Sequence, residues 1–219
     1  MRQTTKLFAY LCTIQPLNFT FMDSQYFSTL RELLTRNRSY RRFDSSKMVT
    51  ECQLTEIVDL TRLCASGRNL QPLKYRIVST EAECNAIFPA LKWAGYYTTW
   101  DGPSENERPT AYIVQCLDTQ LANGCLCDDG LHLEAITLGA TALGLNACII
   151  KSFNSEIVTS SLSIDARYKP IYVVALGYGN EEIKLVDTDG STDADIRYYH
   201  NENGIHTVPK RTLSEIIIK

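Results

Sequence analysis

The sequence predicts an α+β fold in a single domain, and three observations carry that expectation. Segments of helical period and segments of strand character alternate irregularly along the 219 residues, with no internal repeat; a doubly wound parallel sheet would alternate regularly. A hydrophobic content of 44% and a charged content of 21% are ordinary for one well-buried globular domain. The stretch Gly177-Tyr178-Gly179-Asn180 fails as a dinucleotide fingerprint. Its third glycine is missing, and acidic residues follow where a helix N-terminus should receive phosphate.

Taken in order, Arg2 and Lys6 precede a short apolar run, Leu7 to Ile14, that faintly resembles a signal peptide but has no small-x-small cleavage site. Residues 1–21 therefore read as an N-terminal extension, and residues 22–219 as the domain. Asp23 or Ser24 is positioned to cap a helix starting near Met22, with Phe27, Leu30, Leu33 and Leu34 as its buried stripe. Thr50 and Gln53 form a capping-box pair for a second helix that carries Leu54, Ile57, Val58 and Cys64 and ends near Ser66-Gly67. Pro72 blocks its continuation.

Lys74 to Thr80 reads as a strand, Glu83 to Leu91 as a short helix, and Thr110 to Leu117 as an apolar strand. Asp128 or Asp129 caps a helix running through Leu133, Ile136, Ala140 and Leu143 to a stop at Gly144. Asn146 to Ile150 and Pro170 to Leu176 are buried strands, and Asn154 caps a brief helix between them. Ile196 to His200 and Ile205 to Val208 form a hairpin turning on Asn203-Gly204. Ile216 to Ile218 is an apolar tail.

Several function classes drop out. A net charge of −3 argues against nucleic acid as a partner, because a phosphate backbone demands a broad basic surface. No apolar run approaches the ~20 residues that span a bilayer, so no membrane partner is expected. The eight cysteines are scattered and read as reduced, largely buried thiols of a cytoplasmic protein. In that compartment the Asn18-Phe19-Thr20 sequon carries no meaning.

Cys116, Cys125 and Cys127 lack the paired spacing of a zinc site. Asp187, Asp189, Asp193 and Asp195 mimic a calcium loop, yet Gly190 is misplaced and Tyr198 stands where the bidentate glutamate belongs. His132, His200 and His206 are isolated in sequence, and a lone histidine is more often structural than chemical. Metal ligation is not expected.

Two polar stretches remain. Arg36-Asn37-Arg38-Ser39-Tyr40-Arg41-Arg42-Phe43-Asp44 holds four guanidiniums, planar forks of donors suited to phosphate. Alone it reads first as a solvated helix end, where cations favour the dipole. Ala65-Ser66-Gly67-Arg68-Asn69-Leu70-Gln71-Pro72 closes the next helical pattern and is rich in backbone donors. Trp93, Tyr96, Tyr97 and Trp100 crowd one segment without a clean period. They are either core or a lid over a planar ligand.

In this order the two stretches resemble the signatures of the FMN-dependent nitroreductase superfamily, Arg-Arg-Ser-x-Arg and Ser-x-x-Asn-x-Gln-Pro. The first departs at Asn37, which replaces the leading arginine. The second matches at Ser66, Asn69, Gln71 and Pro72, with Leu73 in place of an aromatic. Ala142 to Ile150 is similar to the family's Leu-Gly-Leu-Gly-x-Cys-Trp-Ile segment.

The resemblance implies a three-layer α-β-α sandwich, its mixed, mostly antiparallel sheet flanked by helices, in an intertwined homodimer with FMN at the subunit interface. It implies that FMN is held by Arg38, Ser39, Arg41, Ser66, Asn69 and Gln71, by backbone donors near Ile150 and Lys151, and by Lys210 and Arg211 as late phosphate-binding bases. Arg41 is the candidate cation for the reduced flavin's N1/O2 edge.

NADH or NADPH would be the reductant, and the acceptor a nitroaromatic, quinone or activated alkene over which Trp93, Tyr97 and Trp100 form the lid. No protein side chain need be catalytic, since the flavin carries the chemistry. The alternatives are a specialised flavoenzyme of the same fold, dehalogenase-like or flavin-modifying, and a non-catalytic FMN-binding protein.

Overall fold

Four apolar segments become the central sheet of the computed structural model, which describes residues 19–218. The strands are β1 (Leu73–Val78), β2 (Ala111–Asp118), β3 (Asn146–Ile150) and β4 (Tyr168–Gly177), and every residue of β2 is buried. Their order is β1-β2-β4-β3 and every pairing is antiparallel. A bulge between Gln115 and Cys116 sets Pro170 opposite Cys116, tolerating a residue that has no amide to give the ladder.

Helices α2 (Glu51–Thr61) and α4 (Asp128–Ala142) cover one face, through Leu54, Ile57, Leu133, Ile136 and Ala140 against Ile113 and Val174. Helices α3 (Glu81–Ile87) and α5 (Ser155–Ser161) cover the other, through Cys84, Ile87 and Val158 against Val114 and Val173. The α-β-α layering expected from the sequence is therefore the layering observed. The Thr50/Gln53 capping box opens α2, and Asn154 accepts from Glu156 and Ile157 to open α5. No helix among the described residues is long and apolar enough to cross a membrane.

Some expectations need correction. The extension over residues 1–21, with its apolar run, Cys12 and Asn18, lies outside the described residues up to Asn18. Helix α1 (Phe19–Arg36) is already helical before Met22, so Asp23 and Ser24 are not its cap; no glycine or proline between Phe19 and Arg36 interrupts it. Its stripe is not buried within one chain: Phe27, Leu30 and Leu34 are 61%, 46% and 41% exposed. Helix α2 ends at Thr61, short of Ser66.

Neither Asp128 nor Asp129 caps α4, because both lie within the helix, the Asp128 carboxylate turns to Ser66 and Gly67 in the loop after α2, and Cys127 holds the cap position. The seven described cysteines are free, but only Cys84, Cys116 and Cys148 are buried.

A second sheet packs at the C-terminal end. β6 (Tyr199–His200) and β7 (His206–Arg211) form the expected hairpin, closed by Asn201 with Gly204 at φ +75°. β5 (Ile183–Thr188), which sequence reading missed, pairs parallel to β7. The aspartates that follow serve their own loop: Asp189 accepts from Ser191, and Asp195 from Thr192. The chain ends on α6 (Leu213–Ile216) and the exposed Ile217 and Ile218.

Candidate functional site

The basic segment leaves α1 and runs extended beside the edge strand β3. Ser39 bridges Ala147 in parallel, Tyr40 N–H donates to the Ala147 carbonyl at 3.0 Å, and Phe43 bridges Gly179. Phe43 is fully buried against Gly177, where a Cβ would lie 2.8 Å from its ring. Glu181 accepts from the backbone amides of both Arg41 and Arg42. Asn37 donates to Thr137 at 2.9 Å and Glu134 at 3.3 Å. The residue that replaces the family's leading arginine therefore ties the segment to α4.

This anchoring places Arg38, Ser39, Arg41 and Lys210 around one cavity of about 330 Å³, with Ala147 and Ile149 of β3 as its floor. Three cations face one carboxylate there, Glu134. Arg38 spends Nη2 on the Leu34 carbonyl at 2.7 Å, while its buried Nε has no partner among the described residues. Burial lowers its pKa. A buried guanidinium N–H left unpaired costs free energy that an anionic ligand would recover. The donor set therefore fits a phosphate-bearing group.

Ser66, Asn69 and Gln71 gather elsewhere, at a cavity of about 380 Å³ shared with Tyr75 and His132. Asp128 accepts from Ser66 Oγ at 2.6 Å and from the Gly67 amide at 2.9 Å, and Ser66 Oγ in turn accepts from Gln71 N–H at 2.9 Å. Burial opposes the charge on Asp128, but these hydrogen bonds hold its carboxyl below the usual range. Arg68, Asn69 and Gln71 all carry positive φ, at 53°, 58° and 50°. Backbone held in this region costs about 1–3 kcal/mol per residue and concentrates at ligand clamps. The two motifs share no lining residue within one chain.

Other expected site residues stand apart. Ile150 is a core residue, 4% exposed; its neighbour Ile149 faces the basic cavity instead. Lys151 donates to Tyr172 Oη at 3.1 Å and lines neither cavity. Arg211 turns to the Gly190 carbonyl at 3.1 Å, because alternation along β7 sends it away from Lys210. Trp93 is 7% exposed and packs in the core near Phe88, so it forms no lid.

Tyr97 and Trp100 line a further cavity of about 330 Å³, reached from the basic one across Arg41, which lines both. Arg42 lies over the Trp100 ring at 5.3 Å and pairs with Glu107 at 2.6 Å.

Between the two cavities sits His206, which sequence reading left as isolated. It is 2% exposed, with Nε2 at 3.2 Å from Arg41 Nη1 and Nδ1 at 2.7 Å from Tyr97 Oη. Burial pushes its pKa down to about 4, aided by the charges of Arg41 and His200. Glu181, His200 and His206 each offer a ligand atom, all within 4.8 Å of one another. Both ring nitrogens of His206 are already engaged, however, and one of them by a permanent cation. Such surroundings disfavour a metal ion.

An antiparallel sheet between two helical layers is the fold that this chain shares with solved structures of nitroreductase family proteins. The model of the nitroreductase family matches residues 34–101, which contain both motifs. An FMN-dependent nitroreductase from Clostridium difficile is 20% identical, the match covering 77% of this chain and 98% of that one at a TM-score of 0.58. A nitroreductase family protein from Clostridium novyi is 18% identical over 86% of this chain and 98% of the other, also at 0.58. One from Streptococcus pneumoniae is 18% identical over 71% and 92%, at 0.58. The family resemblance read from the motifs is thereby borne out.

Proposed function

We propose that this chain is an FMN-dependent oxidoreductase that passes hydride from NADH or NADPH to a small planar acceptor, and that it works as a homodimer. The observation that carries this reading is the convergence of Arg38, Ser39, Arg41 and Lys210 on one cavity beside β3. Arg38 and Lys210 would hold the phosphate, Ser39 would add a hydroxyl, and Arg41 would place a positive charge by the ring. Ser66, Asn69 and Gln71, too far round the same chain to join them, would come from the second protomer. When bound, FMN supplies hydride transfer at N5, and the protein supplies binding, orientation and electrostatics.

The cheapest test is the visible spectrum of the purified protein. A flavin spectrum bleached by NADH or NADPH is expected; a flavin spectrum that neither reductant bleaches would indicate a binder without turnover. A preparation that stays colourless after incubation with FMN would overturn the proposal. Arg38→Ala should weaken FMN binding by about 1.5–3 kcal/mol, the loss of a charge-assisted hydrogen bond. Arg211→Ala, directed at the Gly190 loop, should leave it unchanged. Equal losses in both variants would move the phosphate to another place.

A further inference from the structure

We infer that Tyr97 is the group by which the aromatic cleft recognises its ligand, its hydroxyl donating a hydrogen bond to a nitro, quinone or carbonyl oxygen on a planar ring. This deepens the oxidoreductase reading and rests on it for the class of ligand.

The Arg41 guanidinium has only N–H donors. At 3.2 Å from His206 Nε2, it requires that nitrogen to present its lone pair. His206 is then neutral with its proton on Nδ1, which matches its buried surroundings. Nδ1–H donates to Tyr97 Oη at 2.7 Å, so the phenol's own proton must point elsewhere. Among the described residues no acceptor takes it, and Tyr97 lines the cleft with Thr99, Trp100 and His200. The hydroxyl is thus an oriented donor aimed by a fixed tautomer.

The ring is also fixed. It stacks on His200 at 4.9 Å and 21°, and stands edge-on to Tyr198 at 5.3 Å and 84° and to Trp100 at 6.2 Å and 78°. These contacts fix the Tyr97 ring, and Trp100 and His200, which line the same cleft, are the aromatic surface beside it that a planar ligand would meet. Burial raises the Tyr97 phenol to about 12, so it remains a donor across the physiological range. Tyr97 is half-buried, and a donor partly withdrawn from water favours ligands that bring an acceptor over ligands that lack one.

The test compares two soluble rings, 4-nitrobenzyl alcohol and benzyl alcohol, on the protein as purified and without nicotinamide, their affinities read by ligand-observed NMR. Wild type should prefer the nitro compound. Tyr97→Phe should weaken it about 5- to 10-fold, the net worth of one hydrogen bond, and leave benzyl alcohol unchanged. Trp100→Ala should weaken both, as a stacking surface would.

Equal losses for the two ligands in Tyr97→Phe, no loss for the nitro compound, or no binding of either ligand to wild type would each overturn the inference. Absence of flavin from the preparation would overturn the oxidoreductase reading instead, and it is scored separately from this comparison.

Discussion

His206 shows how one residue acquires a role that its sequence neighbours do not announce. It occupies a hairpin strand, and only the fold brings Arg41 and Tyr97 to its two nitrogens. Arg38, Ser39 and Arg41 were legible because their spacing is local; Glu181 and His206 were not, because their partners lie more than a hundred residues away. Its titration gives a signed prediction. Unfolded, a histidine takes a proton near 6.5; here burial, Arg41 and His200 hold it to about 4. The associated stability is fully present above pH 6.5 and is lost as pH falls toward 4, because the unfolded chain gains the proton first. Below about pH 5 the carboxylates held low in the fold, Glu107, Asp118 and Asp128 among them, add their own loss. His132 shares the window, its pKa lowered by burial. The discriminating quantity is therefore the difference between wild type and His206→Gln. Melting temperature should fall more steeply from pH 6.5 to 4 in wild type, and parallel slopes would remove His206 from the account.

At the scale of elements, the basic segment behaves as an added edge strand whose position depends on small residues beneath it. A Cβ at Gly179 would meet Tyr40 Cε1 at 2.6 Å and Asn146 Oδ1 at 2.8 Å, and Asn146 already accepts from the Gly179 amide at 2.8 Å. Gly179→Ala should cost about 1–3 kcal/mol of stability, the usual penalty of overpacking, and also weaken FMN binding by shifting Arg38 and Arg41. Thr50→Ala, which removes the α2 capping box, should cost about 1 kcal/mol and leave FMN affinity alone. Equal FMN affinity in the two variants would uncouple the segment from the site. The caps at Thr50 and Asn154 were readable because each is set by residues within one turn. β5 was not: Ile183 and Leu185 give it one short alternation, and its ladder partner among the described residues, β7, lies some twenty residues on. The apolar stripe of α1 was read correctly as a stripe and wrongly as buried within one chain. Periodicity reports that a face exists and is silent on what covers it.

For the whole molecule, that uncovered face and the divided motifs point the same way. Phe27, Leu30 and Leu34 of α1, and Ile216, Ile217 and Ile218 at the C-terminal end, are all more than 40% exposed in one chain. Large apolar side chains left exposed in groups ordinarily mark an interface. The Arg38 cavity and the Asn69 cavity are separate within one chain, as a twofold interface that completes each site with the other copy would require. In the dimer proposed above, the Arg38 cavity of one protomer would meet the Asn69 cavity of its partner, twice. Complementation tests this more directly than mass alone. Arg38→Ala homodimers and Asn69→Ala homodimers each carry two damaged sites. In a heterodimer of the two variants, both lesions fall in one site and the other is intact. Random pairing makes half the dimers mixed, so about a quarter of all sites should regain wild-type FMN affinity. The measurement is flavin retained after co-expression and desalting, alongside light scattering for the dimer mass. A mixture that retains no more flavin than its parents, or a monomer that retains it fully, would place both motifs in one chain's site and leave the exposed face of α1 without this explanation.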